Sequence, residues 1–303
     1  MREKAAVEHQ PADRPSSTVS LPSGSTEAYF RRDGVAGRLV VVYHIQKTAG
    51  TSLRRFVRTN LPPSELEPCA DLQKLRYRPD ELLRWHRDWY RSLAPERRAA
   101  LCCVMSHSAG YLLPALDRPA EALVLIREPV DRVLSFYFYK RRRPKEPEGS
   151  RRTEDFFPLE RIYATTAAER ARLVRPARLE SWDQFHNWQS RSLLSIHHDV
   201  SALEYSRGPT ADADLWRARL RELLENVFYA GVQDRFVEYV ESVARRFGWD
   251  VVAPASKVNE RRPAVAEISR ELRETIEAYN WLDVELHRLC RELQVRREAE
   301  GAA

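Results

Sequence analysis

The chain has 303 residues, 43% hydrophobic and 10% aromatic, enough to bury a large core in one domain or two. Its net charge of +6, from 50 basic against 44 acidic residues, favours anionic ligands but gives little support to nucleic acid as a partner. No run reaches the roughly 18 apolar residues of a membrane span, no apolar leader opens the chain, and Cys69, Cys102, Cys103 and Cys290 lack metal or disulfide spacing, so the expectation is a cytoplasmic protein without a transmembrane segment.

Residues 1–33 are polar and rich in Ser, Pro and charge, which predicts a disordered tail before a folded domain at 34–296. The β-branched run at 39–45 predicts a buried strand, followed by a tight turn and a helix from about Thr51 to Thr59 that Pro62 and Pro63 end. Residues 80–100 carry Leu82, Leu83, Trp85, Trp89 and Leu93 at helical spacing. L-C-C-V-M at 101–105 reads as a short buried strand ending at Ser106-His107-Ser108. A-L-V-L-I at 122–126 reads as another, ending at Arg127-Glu128-Pro129, with a helix from Val130 to about Tyr139 behind it.

Residues 140–181 turn charged and Pro-bearing, which predicts a mobile insertion with a solvated charge run. The remainder reads as helical. Phe236, Val240, Val243 and Phe247 share one face, and Leu272, Ile276, Tyr279, Leu286 and Leu293 share another. A basic polar loop lies between them at 255–263, and 297–303 is expected as a disordered tail. Trp182, Trp188, Trp216, Trp249 and Trp281 are read as packing residues. Three apolar strands separated by helices predict an α/β fold, a three-layer sandwich with a central parallel sheet and helices on both faces.

The predicted strands end in Lys47, His107 and Arg127, and ligands of open α/β sheets bind at those ends. In H-I-Q-K-T-A-G-T-S at 44–52, a Lys, a Gly and three hydroxyl side chains follow the strand and open a helix. Amides and the helix dipole favour an anion at such a turn. A Walker A loop would place its Lys after the last Gly and bring a Ser/Thr for Mg²⁺. Here Lys47 precedes Gly50 and the glycine-rich run is missing, which favours a metal-free site with Lys and Arg as counter-charges.

H-I-Q-K-T-A-G-T-S-L resembles the 5′-phosphosulfate loop of sulfotransferases that use 3′-phosphoadenosine 5′-phosphosulfate (PAPS), most closely the group of heparan sulfate 2-O- and 6-O-sulfotransferases, with Gln46 where Pro is usual. L-I-R-E-P-V-D-R-V-L-S-F-Y is similar to that family's 3′-phosphate strand and helix. F-H-N-W-Q-S-R at 185–191 and Y-A-G-V-Q-D-R-F at 229–236 resemble two further stretches more loosely. The resemblance spans about 38–293 and implies a P-loop-like fold, PAPS as co-substrate and no metal.

It implies that Lys47 neutralises the oxygen bridging sulfur to the departing 5′-phosphate. It further implies that Lys47, Thr48, Ala49, Gly50, Thr51 and Ser52 hold the 5′-phosphate while Arg127 and Ser135 hold the 3′-phosphate. A structural ion pair is the competing reading for Arg127. His107 is the candidate general base, with Ser106 where the family often has Gly; His44 reads as a packed histidine and a carboxylate base is the competitor. Asn187, Gln189 and Arg191 fit either cleft lining or a hydrogen-bond network. Lys257, Asn259, Arg261 and Arg262 fit a loop over the nucleotide. The acceptor implied is a hydroxyl on a carbohydrate or small molecule. Two other readings stay open: a P-loop-like nucleotide kinase, and a non-catalytic module that binds PAP or PAPS.

Overall fold

The computed structural model describes residues 39–61, 66–67, 79–142, 158–165, 183–203, 205–251 and 263–302. The expected N-terminal tail, Pro62 and Pro63, Cys69, Trp182, most of the 140–181 insertion and the loop residues Lys257 to Arg262 lie outside them.

The chain runs β1 (Leu39–Tyr43), α1 (Gly50–Asn60), β2 (Leu66–Glu67), α2 (Pro79–Ser92), α3 (Pro95–Ala100) and β3 (Cys103–Ser106). A 3₁₀ helix (Ala109–Ala115) leads to β4 (Ala120–Ile126), α4 (Pro129–Arg142), α5 (Leu159–Ala164) and α6 (Trp188–Leu194). Then come α7 (Ala213–Asn226), β5 (Phe228–Val232), α8 (Phe236–Phe247), α9 (Arg270–Tyr279) and α10 (Trp281–Ala302). The strands form one sheet in the order β2-β3-β1-β4-β5, every pair parallel, with β2 a two-residue edge.

The unbroken apolar runs of β1 and β4 follow from this position, because helices cover both faces of the sheet. Leu39, Val41 and Tyr43 face the layer of α6, α7, α10 and the 3₁₀ helix, through residues such as Leu193, Leu220, Leu286 and Leu112. Val40 and Val42 face the opposite layer, against Leu53, Phe56 and Val57 of α1 and Tyr239, Val240 and Val243 of α8. A third cluster joins α4, α5 and α9 around Phe136, Ile162 and Ile276. No helix among the described residues is long and apolar enough to cross a membrane.

Several elements differ from expectation. β5 lies in a stretch read as helical, and the predicted 80–100 helix is two helices, broken at Leu93–Ala94 ahead of Pro95. The 272–293 stretch breaks at Asn280, which leaves the helical region at φ −120°, ψ 30°. Residues 297–302 of the expected C-terminal tail are instead the last part of α10. Arg297 there donates to the carbonyls of Ala230 (3.1 Å) and Leu224 (3.3 Å), and Glu298 pairs with Arg235 at 2.7 Å, ties that offset the cost of ordering the terminus. Within the expected insertion, α5 is ordered by burying Leu159, Ile162 and Tyr163.

β1 sits between β3 and β4. The chain leaves β1 toward the β2 edge and leaves β4 toward the β5 edge, so connections diverge above the β1–β4 boundary. Divergence at the carboxyl ends of parallel strands opens a crevice there.

Candidate anion site at the carboxyl ends of β1, β3 and β4

The β1–α1 turn holds two residues in the left-handed region, Lys47 at φ 72° and Ala49 at φ 64°. For side-chain-bearing residues this costs on the order of 1–2 kcal/mol each, which the surrounding contacts must offset. Thr48 is buried and its hydroxyl donates to the Ile45 carbonyl at 2.9 Å, bracing the turn from inside. The Thr48 proton is thus committed to the loop rather than directed at a ligand. The first bonds of α1 run from the amides of Ser52 (2.9 Å) and Leu53 (3.1 Å) to the Ala49 carbonyl. The Gly50 and Thr51 amides therefore open the helix with no carbonyl a turn behind them. No acidic residue stands in this first turn. Thr51 is exposed and Ser52 half-buried.

Gly50 is required by a close approach. A Cβ there would lie 1.6 Å from Cδ2 and 1.9 Å from Nε2 of His44. The His44 ring also meets His107, with ring centroids 4.2 Å apart and planes tilted by 33°. His107 Nδ1 lies 2.6 Å from the His44 carbonyl. A carbonyl only accepts, so Nδ1 carries the proton and, in the neutral ring, Nε2 carries the lone pair. Burial, then the nearby His107, Arg54 and Lys47 charges, push the His44 pKa down to about 3. His44 is neutral at physiological pH and packs between the anion turn and the candidate base.

Arg127 follows β4 directly. Its main chain is held by one side chain: Gln189 Oε1 accepts from the Arg127 amide and Gln189 Nε2 donates to the Arg127 carbonyl, both at 2.8 Å. Its guanidinium donates from Nη1 to the Lys47 carbonyl at 3.1 Å, joining the two predicted phosphate motifs across β1 and β4. It also pairs with Asp131, Nε at 2.6 Å and Nη2 at 2.5 Å from one carboxylate oxygen. The structural ion pair weighed against a phosphate fork is therefore present, and two of the guanidinium nitrogens are engaged by Asp131. Glu128 caps α4 through the amides of Val130 (3.0 Å) and Asp131 (2.6 Å). Ser135 lies further along α4 and is 3% exposed. Lys47 Nζ lies 4.3 Å from the centre of the Tyr139 ring, also on α4, a cation–π contact.

Asn187 and Gln189 belong to a hydrogen-bond network that supports the crevice. Asn187 Oδ1 accepts from the amides of Leu282 (2.9 Å) and Asp283 (3.3 Å) at the start of α10. Asp283 in turn accepts from those of Gln189 (3.1 Å) and Ser190 (2.7 Å) at the start of α6. Arg191 donates to the Asp183 carbonyl at 3.2 Å. Gln184 of the same segment donates to Gln46 Oε1 at 3.0 Å.

The structure thus brings Lys47 and its turn together with Arg127, and His44 together with His107 and Gly50. Sequence reasoning passed over Asp131, Gln189 as the clamp on Arg127, and Tyr139. The four-residue spacing of Arg127 and Asp131 was a readable signal for the first. Nothing in the sequence signals the other two partnerships. No protein-family model matches the chain, and no curated protein matches it.

Proposed function

We propose that this chain is a PAPS-dependent O-sulfotransferase with a P-loop-like fold, similar to the heparan sulfate 2-O- and 6-O-sulfotransferases. One observation carries the reading: Lys47, His107 and Arg127 converge on adjacent strand ends. Two hydrogen bonds tie them, Arg127 to the Lys47 carbonyl at 3.1 Å and His107 to the His44 carbonyl at 2.6 Å.

The donor set fits a ligand with phosphate at both ends: the amides of Gly50 and Thr51, the hydroxyls of Thr51 and Ser52, and the cations Lys47 and Arg127. PAPS supplies an activated sulfuryl group. Lys47 lies in the turn where charge builds on the oxygen leaving sulfur, and a cation there lowers the barrier by pre-organised charge stabilisation. Ala49 and Gly50 shape the turn, while Arg127 and Ser135 hold the 3′-phosphate. His107 Nε2 takes the proton of the acceptor hydroxyl as the acceptor oxygen–sulfur bond forms and the bond from sulfur to the 5′-phosphate oxygen breaks. The acceptor is a carbohydrate or small-molecule hydroxyl, and the site of action is cytoplasmic.

The test is transfer from labelled PAPS to an acceptor panel in EDTA, with PAP affinity measured alongside. A sulfotransferase binds PAP and moves sulfate without metal. ATP binding that needs Mg²⁺ would replace this reading with a kinase, and retention of PAPS without transfer would replace it with a binding module. Lys47→Ala is expected to lower kcat by about 100-fold or more with the fold intact, and unchanged kcat would sink the assignment. His107→Ala is expected to lose transfer and keep PAP affinity within a few-fold.

A further inference from the structure

The turn that carries His107 is anchored to a second, buried histidine. His86 lies on α2 and is fully buried. Its Nδ1 is 2.8 Å from the Leu82 carbonyl, one turn back on the same helix, and its Nε2 is 3.3 Å from the Ser108 hydroxyl. The Ser108 hydroxyl is 3.2 Å from that of Ser106, which accepts the Ser108 amide at 3.0 Å.

The direction of every proton follows from chemistry. The Leu82 carbonyl accepts only, so Nδ1 is the protonated nitrogen and Nε2 accepts. Ser108 therefore donates to His86, and Ser106 donates to Ser108. Burial holds the His86 pKa down at about 4, so the ring is neutral and the polarity stands at physiological pH. The other side of the turn is fixed to β1: the His44 amide donates to the Ser106 carbonyl at 3.0 Å, and His107 Nδ1 donates to the His44 carbonyl at 2.6 Å. His107 thus sits on a turn held from β1 on one side and from α2 on the other.

We infer that His86 is a positioning residue for His107, acting through the Ser108–Ser106 hydroxyl relay to hold Nε2 of His107 toward the crevice. The inference rests on reading His107 as the general base. Displacements near 1 Å at a reacting group cost up to about 100-fold in rate.

The substitutions separate the two ring nitrogens. In His86→Gln the amide oxygen overlays Nε2 and still accepts from Ser108. In His86→Asn the amide overlays Nδ1 and serves only the bond to Leu82 within α2. With labelled PAPS and an active acceptor, His86→Ala, His86→Asn and Ser108→Ala are each expected to lower kcat about tenfold. PAP affinity is expected to stay within twofold, and His86→Gln to retain most of the turnover. The His86→Ala, Ser108→Ala double variant is expected to be no slower than either single one, because both cut the same chain.

A second readout does not depend on transfer. Nitrogen-15 NMR of the His107 ring is expected to show Nδ1 protonated in the wild type, and to show the same altered His107 signals in His86→Ala and Ser108→Ala. Equal turnover in Gln and Asn variants, additive losses, or unchanged His107 signals would each overturn the inference. A wild-type chain that moves no sulfate but whose His107 signals respond as described would sink the sulfotransferase reading and leave the anchoring of the turn standing.

Discussion

Gly50 shows how one residue couples the anion turn to the candidate base. The bare Cα lets the His44 ring come close to the start of α1, where a methyl group would sit 1.6 Å from Cδ2. His107 lies close to the same ring, with centroids 4.2 Å apart, and limits where it can move. Gly50→Ala is therefore expected to destabilise by about 2 kcal/mol, the usual range for forcing extra volume into a packed site. His44→Ala in the same chain should relieve most of that loss. The two substitutions should then be strongly non-additive in urea midpoints, and a double variant with the summed loss would show that the clash is taken up elsewhere. Ala49 is the contrasting case. It stands at φ 64°, where glycine carries no penalty, so the glycine of this turn is placed for contact and the strained position is left to alanine.

At the scale of elements, the crevice is set by two helices that cap each other. Asp283 of α10 satisfies the first amides of α6, and Asn187 before α6 satisfies the first amides of α10. This fixes Gln189 against the end of β4, where it pairs with both main-chain groups of Arg127. Gln189→Ala would strand a buried donor and acceptor, at about 1–3 kcal/mol apiece. The expected result is a lower melting temperature together with weaker PAP binding, although Gln189 itself is fully buried. Undiminished PAP affinity would mean that Asp131 and the Lys47 carbonyl suffice to orient Arg127. The sequence allows Asn187 and Gln189 a place in a hydrogen-bond network, but their partners are not legible in it, because they stand some sixty to ninety-five positions away and nothing local marks them. The strand ends are legible for the opposite reason. In β1 and β4 an apolar run stops abruptly at polar residues, a signal contained in one short window. β5 escaped the same reading. Its F-Y-A-G-V is short, holds Ala and Gly, and lies between two helices, the second strongly amphipathic. The break at Asn280 escaped too, since Leu272 to Leu293 keep helical spacing across it, and what marks Asn280 is its tertiary bonds to Asn187, Phe185 and Tyr163.

For the molecule as a whole, neutral histidines that are wholly or partly buried make acid the direction of weakness. Burial lowers the pKa of His44 to about 3, of His86 to about 4 and of His198 to about 4, and lowers that of His197 as well. In the unfolded chain these rings titrate near the ordinary value of about 6.5. Between roughly pH 6.5 and pH 4 the unfolded state therefore binds more protons than the folded one, so stability falls as pH falls across that window. Below it, carboxylates held down by hydrogen bonds and charges, such as Asp234 beside His287 and Asp117 beside Tyr90, add to the loss as they protonate. Asp283 opposes them, because burial raises its pKa and protonation relieves a buried charge. His86 is the cleanest member of the set, being fully buried and shifted first by burial itself. Each such proton is worth up to about 1.4 kcal/mol per pH unit. Urea midpoints of the wild type are expected to drop steadily from pH 7 to pH 4. His86→Gln, which keeps the bond to Ser108 and cannot titrate, is expected to start near the wild-type midpoint at pH 7 and fall less steeply below pH 6.5. Parallel pH dependences for the two chains would mean that His86 binds its proton as readily folded as unfolded, and that the neutral ring at the root of the His107 turn is not what the acid limb reports.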